Sequence, residues 1–213
     1  MIHSLRSATL LLVVLLAACG EKTETPAPLP DGRPLLTAVY RTMGRVFSYH
    51  ANAVLEAGGG TATIDGDFGV EHVRFTMKRF DGLTQQAIID GKNAYMSSGN
   101  DSSWSRDTTG AAVGLAQMIT GPVGPRLALS ASDTVGTMGP EEIDGNPTTH
   151  LRLQRASPID IWVGTDPKAE GVVRRIRLAT DGMAEGTVTI TYSDFNKSFD
   201  VAPPGKERVK GKE

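Results

Sequence analysis

From Phe47 to Ser193, apolar and polar residues alternate with a period of two, and the alternation stops once, at Thr108–Asp133. Successive side chains of a strand point to opposite faces, so this pattern describes a sheet wet on one face and covered on the other. After Phe47–Leu55 the expected strands are Thr61–Gly69, Glu71–Phe80, Gln85–Asp90, Asn93–Ser98 and Ser103–Asp107. Beyond the break come Val135–Ile143, Thr148–Arg155, Ile159–Val163, Val172–Ala179 and Thr187–Ser193. Asp-Gly pairs begin at 65, 81, 90, 144 and 181, and Gly58-Gly59-Gly60 follows the first strand. Asp-Gly tolerates the positive φ of a tight hairpin turn, so each pair is read as a turn between neighbouring strands. The expectation is ten or eleven strands in an antiparallel meander.

Two segments carry helical spacing instead. Leu35, Leu36, Val39, Tyr40, Met43, Val46 and Phe47 recur every three or four residues, which predicts a helix over about 35–46 opened by Pro34. Within the break, Ala111, Ala112, Leu115, Met118 and Ile119 predict a second helix, stopped by Gly121–Pro125, with a further short turn at Arg126–Ala131. A long twisted sheet with so little helix to cover it curls into an open barrel with an apolar hollow. The fold class expected is mainly β (α+β): one domain over 35–204, closed by Pro203-Pro204, with a curved antiparallel sheet and helices in its concave face.

The start of the chain is of another kind. Arg6 precedes the apolar run Ala8–Ala18, which is shorter than the roughly 20 residues a membrane-spanning helix needs. It ends Leu16-Ala17-Ala18-Cys19, a branched residue and two small ones before a cysteine. That is a lipobox: residues 1–18 are expected to be a cleaved signal peptide and Cys19 to receive diacylglycerol and an acyl chain such as palmitate. The chain has 1 cysteine, and it falls at this position. Residues 19–34, with Pro26, Pro28, Pro30 and Pro34, read as a tether. Residues 205–213 read as a charged, solvated tail. The expected place is the cell envelope, on the outer face of the cytoplasmic membrane or on the outer membrane.

The sequence offers little to catalysis. His50, His72 and His150 form no metal-binding pair, and there is no nucleophile elbow and no phosphate loop. Asp67-Phe68-Gly69 spells a kinase tripeptide inside a strand pattern, without the loops that would give it meaning. His50 and His72 fall on the polar side of their strands. With 22 basic and 24 acidic residues the net charge is −2, and no basic stripe points to nucleic acid. No enzyme, metal or cofactor is expected, and the domain is expected to be a monomer.

Several strings in a fixed order carry a resemblance. Leu29-Pro30-Asp31-Gly32 leads into the first helix, and Ser48-Tyr49-His50 opens the sheet. Asp90-Gly91-Lys92-Asn93-Ala94-Tyr95 and Trp104 follow. Then come Ile159-Asp160-Ile161-Trp162-Val163, Val173-Arg174-Arg175-Ile176, Thr187–Tyr192, Ser193-Asp194-Phe195-Asn196 and Val201-Ala202-Pro203-Pro204. Over residues 19–204 this order resembles the LppX/LprG lipoproteins, which are similar in fold to the LolA and LolB lipoprotein carriers. The resemblance implies a half-barrel with helices in its concave side, a cavity for acyl chains, and carriage of lipids or lipidated molecules within the envelope. It implies no catalytic residue and leaves any envelope transport partner unknown.

The first reading is therefore a carrier anchored to the membrane through Cys19. Its cavity would be lined by Leu35, Val39, Tyr40, Met43, Phe75, Met77, Leu115, Met118, Ile119, Ile176, Val188 and Ile190. A core and a cavity wall look alike in sequence, and for each of these side chains taken singly core is the favoured reading. A binding or sensing module with a filled core is the second reading, and a closed cavity would favour it. An envelope hydrolase is the third, and carboxylates clustered with a histidine in a pocket would favour that.

Overall fold

The computed structural model describes residues 29–99, 103–120, 129–166, 170–180, 185–205 and 208–210. Cys19 and the signal segment, Gly121–Pro125, Leu127 and the Asp181-Gly182 pair lie outside the described residues. Helix α1 spans Arg33–Met43 and α2 spans Ala111–Thr120. Before the break the strands are β1 Ser48–Ala57, β2 Gly60–Gly69, β3 His72–Lys78, β4 Thr84–Asp90, β5 Asn93–Ser98 and β6 Trp104–Arg106. After it come β7 Thr134–Ile143, β8 Asn146–Gln154, β9 Ile159–Gly164, β10 Val173–Thr180, β11 Gly186–Ser193 and β12 Val209–Lys210.

All the strands join one curved sheet, in the order β12-β6-β5-β4-β3-β2-β1-β11-β10-β9-β8-β7. Its eleven longer strands pair antiparallel, and β11 returns to lie beside β1. The register stacks one apolar row across the concave face: Ile176 opposite Ile190, Ala51 opposite Tyr192 and Gly66, Phe75 opposite Gly66 and Ala87. The helices lie on this face, and a single core cluster runs through Leu36, Val39 and Met43 of α1, Ala112, Ala116 and Ile119 of α2, and the inward rows of the strands. The molecule is a half-barrel, mainly β, with its core between sheet and helices.

Three expectations are corrected. The first helix starts at Arg33 and ends at Met43, where Gly44 and Arg45 turn the chain, so Val46 and Phe47 leave the helical face. Asp65-Gly66 is no turn: both residues pair within β2, across from Asn52 and Ala51. A Cβ on Gly66 would come within 2.5 Å of Phe75 Cβ and closer still to the Arg74 carbonyl oxygen, so the glycine is there to let β3 approach β2. The pairs at 81, 90 and 144 do turn the chain, and Asp144-Gly145 takes positive φ at both residues (50° and 77°), as a tight hairpin turn needs. Third, within the segment expected to be a solvated tail, Val209 and Lys210 pair parallel with Trp104 and Ser105 of β6.

Candidate functional site

The concave face is floored by aromatic rings contributed by adjacent strands. Tyr49 stacks on Phe68 at 5.8 Å, Phe68 on Phe75 at 6.2 Å, and Tyr192 meets Tyr49 edge-on at 5.5 Å. Such pairs stabilise beyond the area they bury and give the floor a fixed shape. Tyr192 is fully buried, and its hydroxyl donates to the carbonyl of Ile119 at 3.1 Å, tying the last turn of α2 to β11. Burial pushes the Tyr192 phenol well above its ordinary pKa, so it stays a neutral donor.

α1 is seated at its start. Asp31 Oδ1 accepts from the Arg33 amide at 2.9 Å, and the Arg33 guanidinium donates to the carbonyls of Ser130 and Asp133. Asp133 in turn holds Arg155 at 2.6 Å, which keeps its carboxyl far below the usual carboxylate range. α2 is entered through Asp107, whose carboxylate accepts from the amides of Thr109, Gly110 and Ala112 at 2.8–3.1 Å. Burial alone would raise the Asp107 pKa, but these bonds and the Thr109 hydroxyl outweigh it and lower it.

Eleven of the twelve residues expected to line a cavity come together here. Val39, Met43, Phe75, Ile119, Ile176 and Ile190 are buried in the core cluster, and Leu35, Tyr40, Met77, Leu115 and Val188 pack against it half-buried. Met118 stands apart, 44 % exposed on the outer side of α2 with Val113. Within the set one polar atom is orphaned: the buried Tyr40 hydroxyl oxygen has no hydrogen-bond partner.

Two pockets formed by described residues lie elsewhere, at the end of the barrel where β1 begins and β11 finishes. One, of about 400 Å³, sits beneath the chain that follows β11; Phe47, Val70, Phe199 and Val201 give it apolar walls. Phe47 is 55 % exposed and Val70 83 % exposed at its rim. The other, of about 330 Å³, has apolar walls that include Ile143 and Tyr192, and polar groups of His50, Asn52, Asp144, Arg174, Thr191 and Ser193 at its border. Sequence reading missed both, because their walls come from segments far apart in the chain that only the register of the sheet brings to one place.

It also missed a polar cluster on the convex face. His150 lies opposite Trp162 across β8 and β9, with the rings stacked at 4.4 Å. Its Nδ1 meets Glu141 Oε1 at 2.8 Å and its Nε2 meets Asp160 Oδ1 at 2.9 Å. Trp162 donates to the other Glu141 oxygen at 2.6 Å, and Arg152 grips both oxygens of Asp160 at 2.7 and 3.2 Å. The Trp162 bond is the main cause that lowers the Glu141 pKa. At Asp160 burial pulls upward, and the bonds from Arg152 and His150 prevail to lower it. Here a histidine and two carboxylates do assemble, as a hydrolase reading asked. Both ring nitrogens are engaged and neither described pocket reaches them, so the cluster acts as a polar lattice tying β7, β8 and β9. His50 and His72, read as surface histidines, likewise pair with carboxylates: His50 with Asp67 at 2.8 Å, His72 with Asp90 at 2.9 Å.

A curved antiparallel half-barrel with its helices laid in the concave face is a fold with solved counterparts. It is the fold of the lipoprotein LppX of Mycobacterium tuberculosis, at 18% identity and a TM-score of 0.60, covering 80% of this chain and 99% of that one. LprF from Mycobacterium bovis matches at 16% identity and a TM-score of 0.63, covering 84% of this chain and 99% of that one. No protein-family profile matches the sequence, and neither does any curated protein.

Proposed function

We propose that this protein is a lipid-anchored, non-enzymatic carrier of the cell envelope. It takes acyl chains of a lipid or lipidated molecule between its helices and the concave face of its sheet. The observation that supports this most is the cover itself. α2 buries only Ala112, Ala116 and Ile119, small side chains but for the last. A helix seated on so little apolar area can lift at modest free energy, and lifting it uncovers the aromatic floor. An acyl chain entering there is stabilised by about 0.8 kcal/mol per methylene buried. The orphaned Tyr40 hydroxyl offers such a ligand one hydrogen bond at the other helix.

The reading is tested by solvent extraction and mass spectrometry of protein purified from its own host. Co-purifying acyl lipid in stoichiometric amount is expected, and its absence overturns the carrier reading. Anchoring is tested apart from it. Cys19→Ala is expected to move the protein from the membrane to the soluble fraction, and continued detergent partitioning of that variant would refute acylation at Cys19.

A second reading is favoured by a specific observation. Neither pocket described above lies between the helices and the sheet, and the core cluster there is continuous. A filled core would make this a module that binds protein partners, and lipid-free protein of full stability is its signature.

A further inference from the structure

Arg174 is placed by an irregularity in the sheet. Val173 pairs with Val163 and Arg175 with Trp162, so Arg174 is the extra residue of a bulge and has no partner across the ladder. Its guanidinium carbon lies 5.4 Å from the centroid of the Phe195 ring. Its Nε is buried and makes no hydrogen bond. No carboxylate among the described residues lies within ion-pair distance of it. Its neighbour shows the contrast: Arg175 Nε donates to Thr191 Oγ1 at 3.2 Å, and its terminal nitrogen lies 3.6 Å from Asp144.

A buried donor without an acceptor destabilises the fold, and almost every such donor in a protein is satisfied by something. Arg174 borders the 330 Å³ pocket, where the hydroxyls of Thr191 and Ser193 and the amide of Asn52 are gathered with it. Asp144 also lines the pocket, its carboxylate 3.6 Å from the Arg175 guanidinium that offsets its charge, and Asp65 and Asp67 pair with His50. We propose that this pocket is a phosphate site, in which Arg174 donates to the oxygens of a free phosphate or of a phospholipid headgroup. A guanidinium fork beside two hydroxyls suits a group with several oxygens, and charge-assisted bonds to it are the strong kind. His50 is also at the pocket. Burial lowers its pKa, but the hydrogen bond to Asp67 and the charges of Asp65 and Asp67 outweigh this and hold it toward its cationic form, so its charge is spent on those two carboxylates and Arg174 is the cation left to the pocket. The site shares Tyr192 with the aromatic floor, but the groups that would hold phosphate are Arg174, Thr191 and Ser193, and its test does not depend on the acyl-binding face being occupied.

The experiment follows the Arg174 Nε–H resonance by nitrogen-15 NMR in the full-length protein in neutral detergent. It is titrated with inorganic phosphate and, separately, with dihexanoylphosphatidylglycerol. A saturable shift with phosphate assigns a free-phosphate site. A saturable shift with the phospholipid alone assigns a headgroup site. Arg174→Gln is expected to weaken either binding about tenfold or more. Arg174→Lys, which keeps the charge and loses Nε, is expected to fall between the two proteins. No saturable shift with either probe overturns the proposal whatever the variants do, and so does binding unchanged in folded Arg174→Gln protein. Lipid extraction, the readout for acyl carriage, takes no part in this test.

Discussion

The two helices cover the same concave face by opposite means. α1 drives Leu36, Val39 and Met43 into the core and is pinned at its start by Asp31 and through Arg33. α2 is apolar nearly all round yet buries chiefly alanines, leaves Val113 and Met118 in the open, and is held by a carboxylate at one end and a phenol at the other. Large side chains make α1 part of the permanent core. Small ones make α2 a cover whose attachment is polar and local. The difference locates where the fold can open.

The comparison breaks first at Leu36, which is wholly buried. Leu36→Ala is expected to lower unfolding stability by about 2–5 kcal/mol in chemical denaturation. A loss below about 1 kcal/mol would mean α1 is no better seated than α2. Asp107→Ala removes the acceptor at the entry of α2 and is expected to cost about 1 kcal/mol near neutral pH. The sign with pH follows from the lowered pKa in the fold. The stabilisation is present above the unfolded value of about 4 and is lost as pH falls through the folded value, so wild type and variant converge in acid. A constant gap across the acid range would show that Asp107 acts otherwise. Tyr192→Phe keeps the ring and deletes the bond to Ile119, with an expected loss of about 1 kcal/mol. Amide exchange in the last turn of α2 should quicken while α1 is untouched; equal exchange in both helices would erase the distinction. Met118→Glu is expected to change stability by no more than about 0.5 kcal/mol, since the side chain is exposed. Lipid co-purifying with it is expected to be unchanged, because the side chain stands on the outer side of α2; loss of lipid from the folded variant would show that this outer side also meets the ligand.

The strand order was legible because alternation is a local property: Val73, Phe75 and Met77 announce β3 without reference to any other strand. The turn at Asp144-Gly145 was legible for the same reason. Asp65-Gly66 misled because its glycine answers to Phe75, a residue on the next strand, and nothing local tells that use of glycine from a turn. The lattice around His150 was out of reach in the same way. Glu141 and Asp160 stand nine and ten residues from it, and only the register of β7, β8 and β9 joins them. The candidate lining residues could be named as an apolar set, but their division into a buried group and an exposed Met118 depends on how α2 is rotated. Apolar residues all round that helix do not fix its rotation.

The sheet does not close on itself, and its two borders are met by the chain on either side of the main strand series. At one border Asp31 bridges to Gly136 of β7, with Leu29 folded over that glycine; at the other, Val209 and Lys210 pair with the three-residue β6. An uncovered border offers rows of amides and carbonyls to any passing strand, and is where chains stick together. Two copies of the chain that met border to border would each find such a row in the other. These brief covers therefore do for neighbouring copies what the helices do for the core: they deny the sheet a further strand. Shortening the chain to end at residue 205 would be felt first as a tendency to precipitate, well before any loss of fold.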